Sequence, residues 1–115
     1  MSMPKILGVI PSRYASSRLP GKPLLEISGK TMVEHVYRRA LASGIFFRVV
    51  VATDDRRVYE AVEKFGGDVV MTSPDHPDGS SRVAEVARGI DTDYVVNIQG
   101  DEPMIDPRML KELAE

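Results

Sequence analysis

Four short apolar runs recur along this chain, at residues 5–10, 49–52, 69–71 and 94–98, with polar turns and stretches of helical periodicity between them. Strands that alternate with helices predict a mostly parallel sheet joined by right-handed crossovers, hence an α/β fold of the Rossmann-like, three-layer α/β/α sandwich type. In the first run Ile6, Leu7, Val9 and Ile10 are apolar on both faces, as a central parallel strand requires, and Pro11 closes it. Leu24, Leu25 and Ile27 form a brief apolar patch before the turn Ser28-Gly29-Lys30. Thr31 followed by Glu34 fits a capping box, which predicts a helix over Met32–Ser43 stopped by Gly44, with Val33, Val36, Tyr37, Ala40 and Leu41 facing the core.

The same reasoning extends down the chain. After the β-branched run Val49-Val50-Val51-Ala52, a helix over 56–65 puts Val58, Ala61, Val62 and Phe65 inward and ends at Gly66-Gly67. A third strand, Val69–Met71, leads through a polar loop to a helix capped by Ser80 or Ser81, whose stripe is Val83, Val86, Ala87 and Ile90. The fourth strand, 94–98, is followed by the turn Gln99-Gly100-Asp101-Glu102-Pro103, and Asp106-Pro107 opens a further helix. Ligands of such sheets gather beyond the carboxyl ends of the strands, where the loops after Ile10, Thr53, Met71 and Ile98 emerge.

At 115 residues the chain is long enough for one domain with one core. Fifteen Lys and Arg against 17 Asp and Glu leave a net charge of −2, so no global basic field marks a general nucleic-acid binder. The absence of cysteine excludes disulfides, thiolate metal sites and a cysteine nucleophile, and agrees with a cytoplasmic setting. No apolar run is long enough to span a bilayer, so no membrane segment is expected.

Positive charge is instead local. Residues 11–23 carry Arg13, Arg18 and Lys22 with no acid among them, and Pro11, Pro20, Gly21 and Pro23 preclude one continuous helix. This is not a Walker A loop, because Pro23 follows Gly21-Lys22 and Ser16 stands where that motif has its first glycine; a GxGxxG fingerprint is absent too. Two readings remain for the loop: a cradle for the phosphates of a small anion, or a solvated surface segment.

Asp101, just past a strand, suits Mg²⁺ held by a carboxylate together with waters and phosphate oxygens, or else a turn carboxylate capping nearby N–H groups. Asp54-Asp55 precedes a helix at once, so capping accounts for both residues. His76 reads as an exposed loop residue, and Arg82, judged alone, as solvated.

Four blocks carry the identification further: Ile10-Pro11-Ser12-Arg13-Tyr14-Ala15-Ser16-Ser17-Arg18-Leu19-Pro20-Gly21-Lys22-Pro23-Leu24, Val51-Ala52-Thr53-Asp54-Asp55, Ser81-Arg82-Val83-Ala84-Glu85-Val86 and Val96-Asn97-Ile98-Gln99-Gly100-Asp101-Glu102-Pro103. In this order they resemble the 3-deoxy-manno-octulosonate cytidylyltransferase (CMP-Kdo synthetase) family and cover almost the whole chain. The resemblance implies a nucleotide-diphospho-sugar transferase type of sandwich that binds CTP over the first loop. Arg13 and Lys22 would hold the triphosphate with help from Arg18, and Pro11, Ser12 and the neighbouring backbone would face the nucleotide. Arg82 and the loop before it would contact the cytosine, Gln99 would sit near the sugar acid, and Asp101 would ligate Mg²⁺, making Arg13, Lys22 and Asp101 the catalytic set. The implied reaction moves CMP from CTP to Kdo and releases pyrophosphate, in lipopolysaccharide biosynthesis.

The chain departs from the family pattern in three ways. It has Asp78-Gly79-Ser80-Ser81-Arg82 where the family commonly reads Ser-Gly-Thr-Asp-Arg, and serine at 12 and 17 where alanine and threonine are usual. Family members run to about twice this length on the ordinary domain-size scale. Residues 1–115 thus correspond to the N-terminal, nucleotide-binding part of one cytidylyltransferase domain. The other half would supply a second metal carboxylate, most of the Kdo pocket and the homodimer interface, so little activity is expected of this chain alone. The rival expectations are a cytidylyltransferase for another sugar acid, of the sialic acid type, and a non-catalytic nucleotide-binding remnant.

Overall fold

A computed structural model describes residues 4–14, 22–74 and 79–98. Within them the chain runs β1 (Ile6–Pro11), a 3-10 turn (Lys22–Leu24), β2 (Glu26–Ile27), β3 (Lys30–Thr31), α1 (Met32–Ser43), β4 (Arg48–Thr53), α2 (Arg56–Lys64), β5 (Val69–Met71), α3 (Gly79–Arg88) and β6 (Tyr94–Asn97). The helix expected after Asp106 lies outside the described residues.

Four strands form one parallel sheet in the order β5-β4-β1-β6. β1 is central, with Leu7 opposite Arg48 and Pro11 opposite Ala52 on one side, and Ile6 opposite Tyr94 and Val9 opposite Asn97 on the other. Both faces of β1 are therefore buried, which is why its sequence is apolar without alternation. On one face Ile10, Val49 and Val51 pack with Val33, Val36, Tyr37 and Ala40 of α1, Val58 and Val62 of α2, and Ile98. On the other, Leu7, Val9, Val50 and Ala52 pack with Val83 and Val86 of α3. The three layers expected from the alternation are present.

The boundaries of α1 follow from its caps. Thr31 Oγ1 accepts from the N–H of Glu34 at 3.3 Å, and Gly44, in the left-handed region at φ 73°, donates its N–H to Leu41 O. Leu41 is a correction: it is 52% exposed, and the buried stripe of α1 stops at Ala40. Leu25 and Ile27 are exposed as well, and of the patch before the turn only Leu24 packs against the core. Ile27 belongs to a small antiparallel hairpin, β2–β3, turned by Ser28 and Gly29, both with positive φ as a tight two-residue turn requires. The ring of His35 in α1 lies 2.6 Å from Ile27 O and ties the hairpin down. α3 begins at Gly79, so Ser80 and Ser81 lie within its first turn and not at the cap; Ile90 lies beyond the helix and packs against its end of the core.

Candidate functional site

The carboxyl ends of all four parallel strands open on one rim of the sheet. Hydrogen bonds carry the pairing one residue past the ends of β1, β5 and β6: Ser12 N to Ala52 O, Thr72 N to Thr53 O and Ile98 N to Val9 O, each at 2.8 Å. From β1 the sheet grows outward through β4 and β5, and the chain then returns to the other side of β1 as β6. The order of strands thus reverses between β1 and β6, and a crevice at such a switch point is where open α/β sheets bind ligands. Ser12 and Ile98 are the residues next after β1 and β6, at that switch point.

Ser12 is 2% exposed, and its Oγ has no hydrogen-bond partner among the described residues. Leaving a buried hydroxyl unpaired costs about 1–3 kcal/mol, so the position is poor for stability and suited to a ligand atom. Pro11 is half-buried at the end of β1, and Arg13 is exposed beyond Ser12. Tyr14 packs against the core, and the Arg57 guanidinium lies 3.3 Å above its ring centroid. Arg57 also binds both carboxylate oxygens of Asp55, at 3.1 and 2.8 Å, so one arginine at the start of α2 fastens the root of the basic loop to a helix cap.

Asp55 is that cap: its Oδ1 accepts from the N–H of Arg57 and of Val58. The Arg57 side chain, opposed by desolvation and aided by those two N–H groups, holds the Asp55 carboxyl below the ordinary carboxylate range. Asp54 corrects the expectation that capping accounts for both acids. The Asp55 N–H donates to Thr53 Oγ1 at 3.1 Å, and Asp54 faces Arg82 instead, its Oδ2 3.6 Å from Arg82 Nη2.

Arg82 corrects the expectation of a solvated side chain more strongly, because it is fully buried. It enters from the first turn of α3, and its Nη1 donates to Thr72 Oγ1 and, at 3.2 Å, to Ser73 O. Its Nε and Nη2 have no hydrogen-bond partner among the described residues. These two nitrogens share one edge of the guanidinium and form the fork that takes two adjacent acceptors. With neighbouring strands about 4.8 Å apart, Ser12 on β1 and Thr72 on β5 stand roughly 10 Å apart along the rim.

Other residues of the sequence-derived set divide as follows. Pro11, Ser12 and Arg13 stand at the end of β1 on the carboxyl rim, Arg82 reaches the ends of β4 and β5 on the same rim, and Lys22 opens the 3-10 turn that follows the basic loop. Arg18, Gln99 and Asp101 lie outside the described residues, as does His76. Among the described residues no group of three or more His, Cys, Asp or Glu side chains is placed to hold a metal ion, and no helix is long and apolar enough to cross a membrane. Sequence reasoning missed Thr72 and the role of Asp54. The signal available was a short polar residue at the end of each of two neighbouring strands.

Comparison with known proteins agrees with this architecture. The family model described as Cytidylyltransferase matches residues 7–115. A 3-deoxy-manno-octulosonate cytidylyltransferase of Geobacter metallireducens is 58% identical over 108 residues, which cover 94% of this chain and 42% of that protein. One from Leptospira interrogans is 57% identical over 113 residues, 97% of this chain and 46% of its own. Among solved structures, CMP:2-keto-3-deoxy-manno-octonic acid synthetase complexed with CTP superposes with a TM-score of 0.93 at 54% identity, over 96% of this chain and 46% of that one. The chain spans less than half the length of these relatives. With its parallel sheet, a strand order that reverses beside β1 and a family match over residues 7–115, the chain belongs to the cytidylyltransferase family.

Proposed function

We propose that this chain supplies the nucleotide-binding half of a cytidylyltransferase that transfers CMP from CTP to 3-deoxy-manno-octulosonate in lipopolysaccharide biosynthesis. The observation that carries the reading is the buried Arg82, whose Nε and Nη2 are left without partners among the described residues at the rim where such folds bind nucleotides. Cytosine presents two neighbouring acceptors, O2 and N3, which match the Nε/Nη2 fork. Uracil carries a proton at N3 and would set donor against donor, so the same fork favours CTP over UTP.

The rest of the site follows from charge. Arg13, Arg18 and Lys22 neutralise the triphosphate, and Ser12 Oγ, buried at the end of β1, donates to the nucleotide. The anomeric hydroxyl oxygen of Kdo, positioned near Gln99, attacks the α-phosphorus. A new P–O bond forms, the bond to the bridging oxygen of the β-phosphate breaks, pyrophosphate leaves, and the hydroxyl proton passes to water. Positioning and charge neutralisation supply most of the acceleration in such a transfer.

Mg²⁺ belongs to the same proposal, since it binds through one or two carboxylates and otherwise takes phosphate oxygens and water. Asp101 is the proposed protein ligand, and the ion would neutralise charge on the phosphates. A cytoplasmic location and a homodimer, for a chain of the relatives' full length, belong to the same proposal.

Calorimetric titration tests the reading. The chain should bind CTP measurably and in preference to UTP, with little CTP- and Kdo-dependent release of pyrophosphate. Equal affinity for the two nucleotides would overturn the base assignment, and ordinary turnover by the 115 residues alone would overturn the division into halves.

A further inference from the structure

Arg82 is held by groups from two different strand ends, and the way it is held bears on how it selects a base. Nη1 is saturated by Thr72 Oγ1 and Ser73 O, which fixes the plane of the guanidinium from one side. Asp54 stands on the other side, 3.6 Å from Nη2, with only 21% of its side chain exposed. That separation is longer than the 2.7–2.9 Å of a charge-assisted hydrogen bond. Asp54 is therefore close enough to balance a buried cation, yet leaves the protons of Nη2 unspent. The position of Asp54 is itself fixed, because the next residue's N–H is bonded to the fully buried Thr53 Oγ1 and Asp55 caps α2. Glu85, three residues on in α3, accepts from the N–H of Ser73.

From this geometry we infer that Asp54 and Thr72 are positioning residues for base selection: they hold the Arg82 guanidinium so that its Nε/Nη2 edge is offered, unpaired, to the nucleobase. The inference rests on the proposed reading of Arg82 and adds to it two residues that do not touch the nucleotide. An ion pair tight enough to saturate Nη2 would occupy the fork. A site with no carboxylate would leave a buried charge without a counter-charge. The loose pair at 3.6 Å does neither.

The test compares CTP and UTP affinities of the 115-residue chain and of Asp54→Asn, Thr72→Val and Thr72→Ser, with thermal unfolding recorded for each. If Asp54 and Thr72 position Arg82, Asp54→Asn and Thr72→Val lower CTP affinity by about tenfold, each losing a factor on the scale of one hydrogen bond. UTP affinity changes little, so the CTP-to-UTP ratio falls towards one, and Thr72→Ser, which keeps the hydroxyl, restores it. If both residues serve stability alone, the variants melt lower while the ratio stays at the parent value, and the inference fails. Should Asp54→Asn not fold, Thr72→Val and its serine rescue decide the matter. A parent chain that does not distinguish CTP from UTP would instead defeat the underlying base assignment, an outcome separate from an unchanged ratio in the variants.

Discussion

A β-carbon at Gly8 would stand 2.9 Å from Ile98 Cδ1 and 3.1 Å from the ring of Phe46, so a side chain at the centre of β1 fits only if both of these side chains give way. Gly8→Ala should overpack this point and cost about 1–3 kcal/mol. Urea denaturation should show a lower midpoint with an unchanged slope. Because β1 carries Pro11 and Ser12 at its end, the same substitution should also weaken CTP binding. Gly89→Ala is the control: its added carbon would meet nothing nearer than 3.7 Å, so nucleotide binding should be unaffected.

The cap of α2 should respond to acid. Asp55 has a lower pKa in the folded chain than in the unfolded one, chiefly because of the Arg57 side chain. A carboxyl depressed in this way contributes its stability in full above its unfolded value of about 3.9, and loses it as pH falls through the folded value. Asp55→Ala should therefore cost about 1 kcal/mol at neutral pH. The gap between parent and variant should narrow below about pH 4. Denaturant curves at pH 7 and pH 3 measure both, and a gap independent of pH would show that the carboxylate charge contributes nothing.

Asp68 is held in two ways that should separate by salt. Its N–H donates to Tyr37 Oη at 3.1 Å, while its carboxylate takes Arg48 Nε at 2.5 Å and Nη2 at 3.1 Å. Tyr37 is buried and its ring lies 5.5 Å from that of Phe65. Tyr37→Phe leaves the Asp68 N–H without this acceptor and should cost about 1 kcal/mol. The partly exposed pair with Arg48 is worth at most about 1 kcal/mol, so Arg48→Ala should cost no more than that and the loss should shrink in 1 M salt. A Tyr37→Phe penalty that also vanished in salt would contradict this division.

The parts of the fold legible in the sequence are those set by local chemistry. α1 starts and stops where its capping box and Gly44 place it, and β1 is apolar on both faces because it is central. The hairpin was not legible, because two-residue strands carry no periodicity and their register is set by a turn and by the contact between His35 and Ile27. Arg82 was hidden for a different reason. Ten residues separate it from Thr72 and 28 from Asp54 in the chain, and only the parallel pairing of β4 with β5 puts those two strand ends beneath α3. Helical spacing places Arg82 next to Val83 and Val86 but cannot say that a charged residue beside the core stripe is itself buried.

Triphosphate contact and base recognition should be separable by mutation. Arg13→Ala and Lys22→Ala each remove a cation from the proposed cradle. A hydrogen bond to a charged group is worth about 1.5–3 kcal/mol, so each should weaken CTP binding by roughly tenfold to a hundredfold. Since both nucleotides carry the same triphosphate, UTP should weaken to a similar extent, leaving the preference intact. Arg82→Lys should do the reverse, because an ammonium offers no planar fork: the preference collapses while affinity for the shared triphosphate persists. Withdrawal of Mg²⁺ by chelation should follow the Arg13 and Lys22 pattern and weaken CTP and UTP together, as expected of an ion that touches phosphates and not bases. Titrations with CTP, UTP and pyrophosphate, with and without Mg²⁺, test all of this. Unchanged CTP binding in both Arg13→Ala and Lys22→Ala would remove the basic loop from the site.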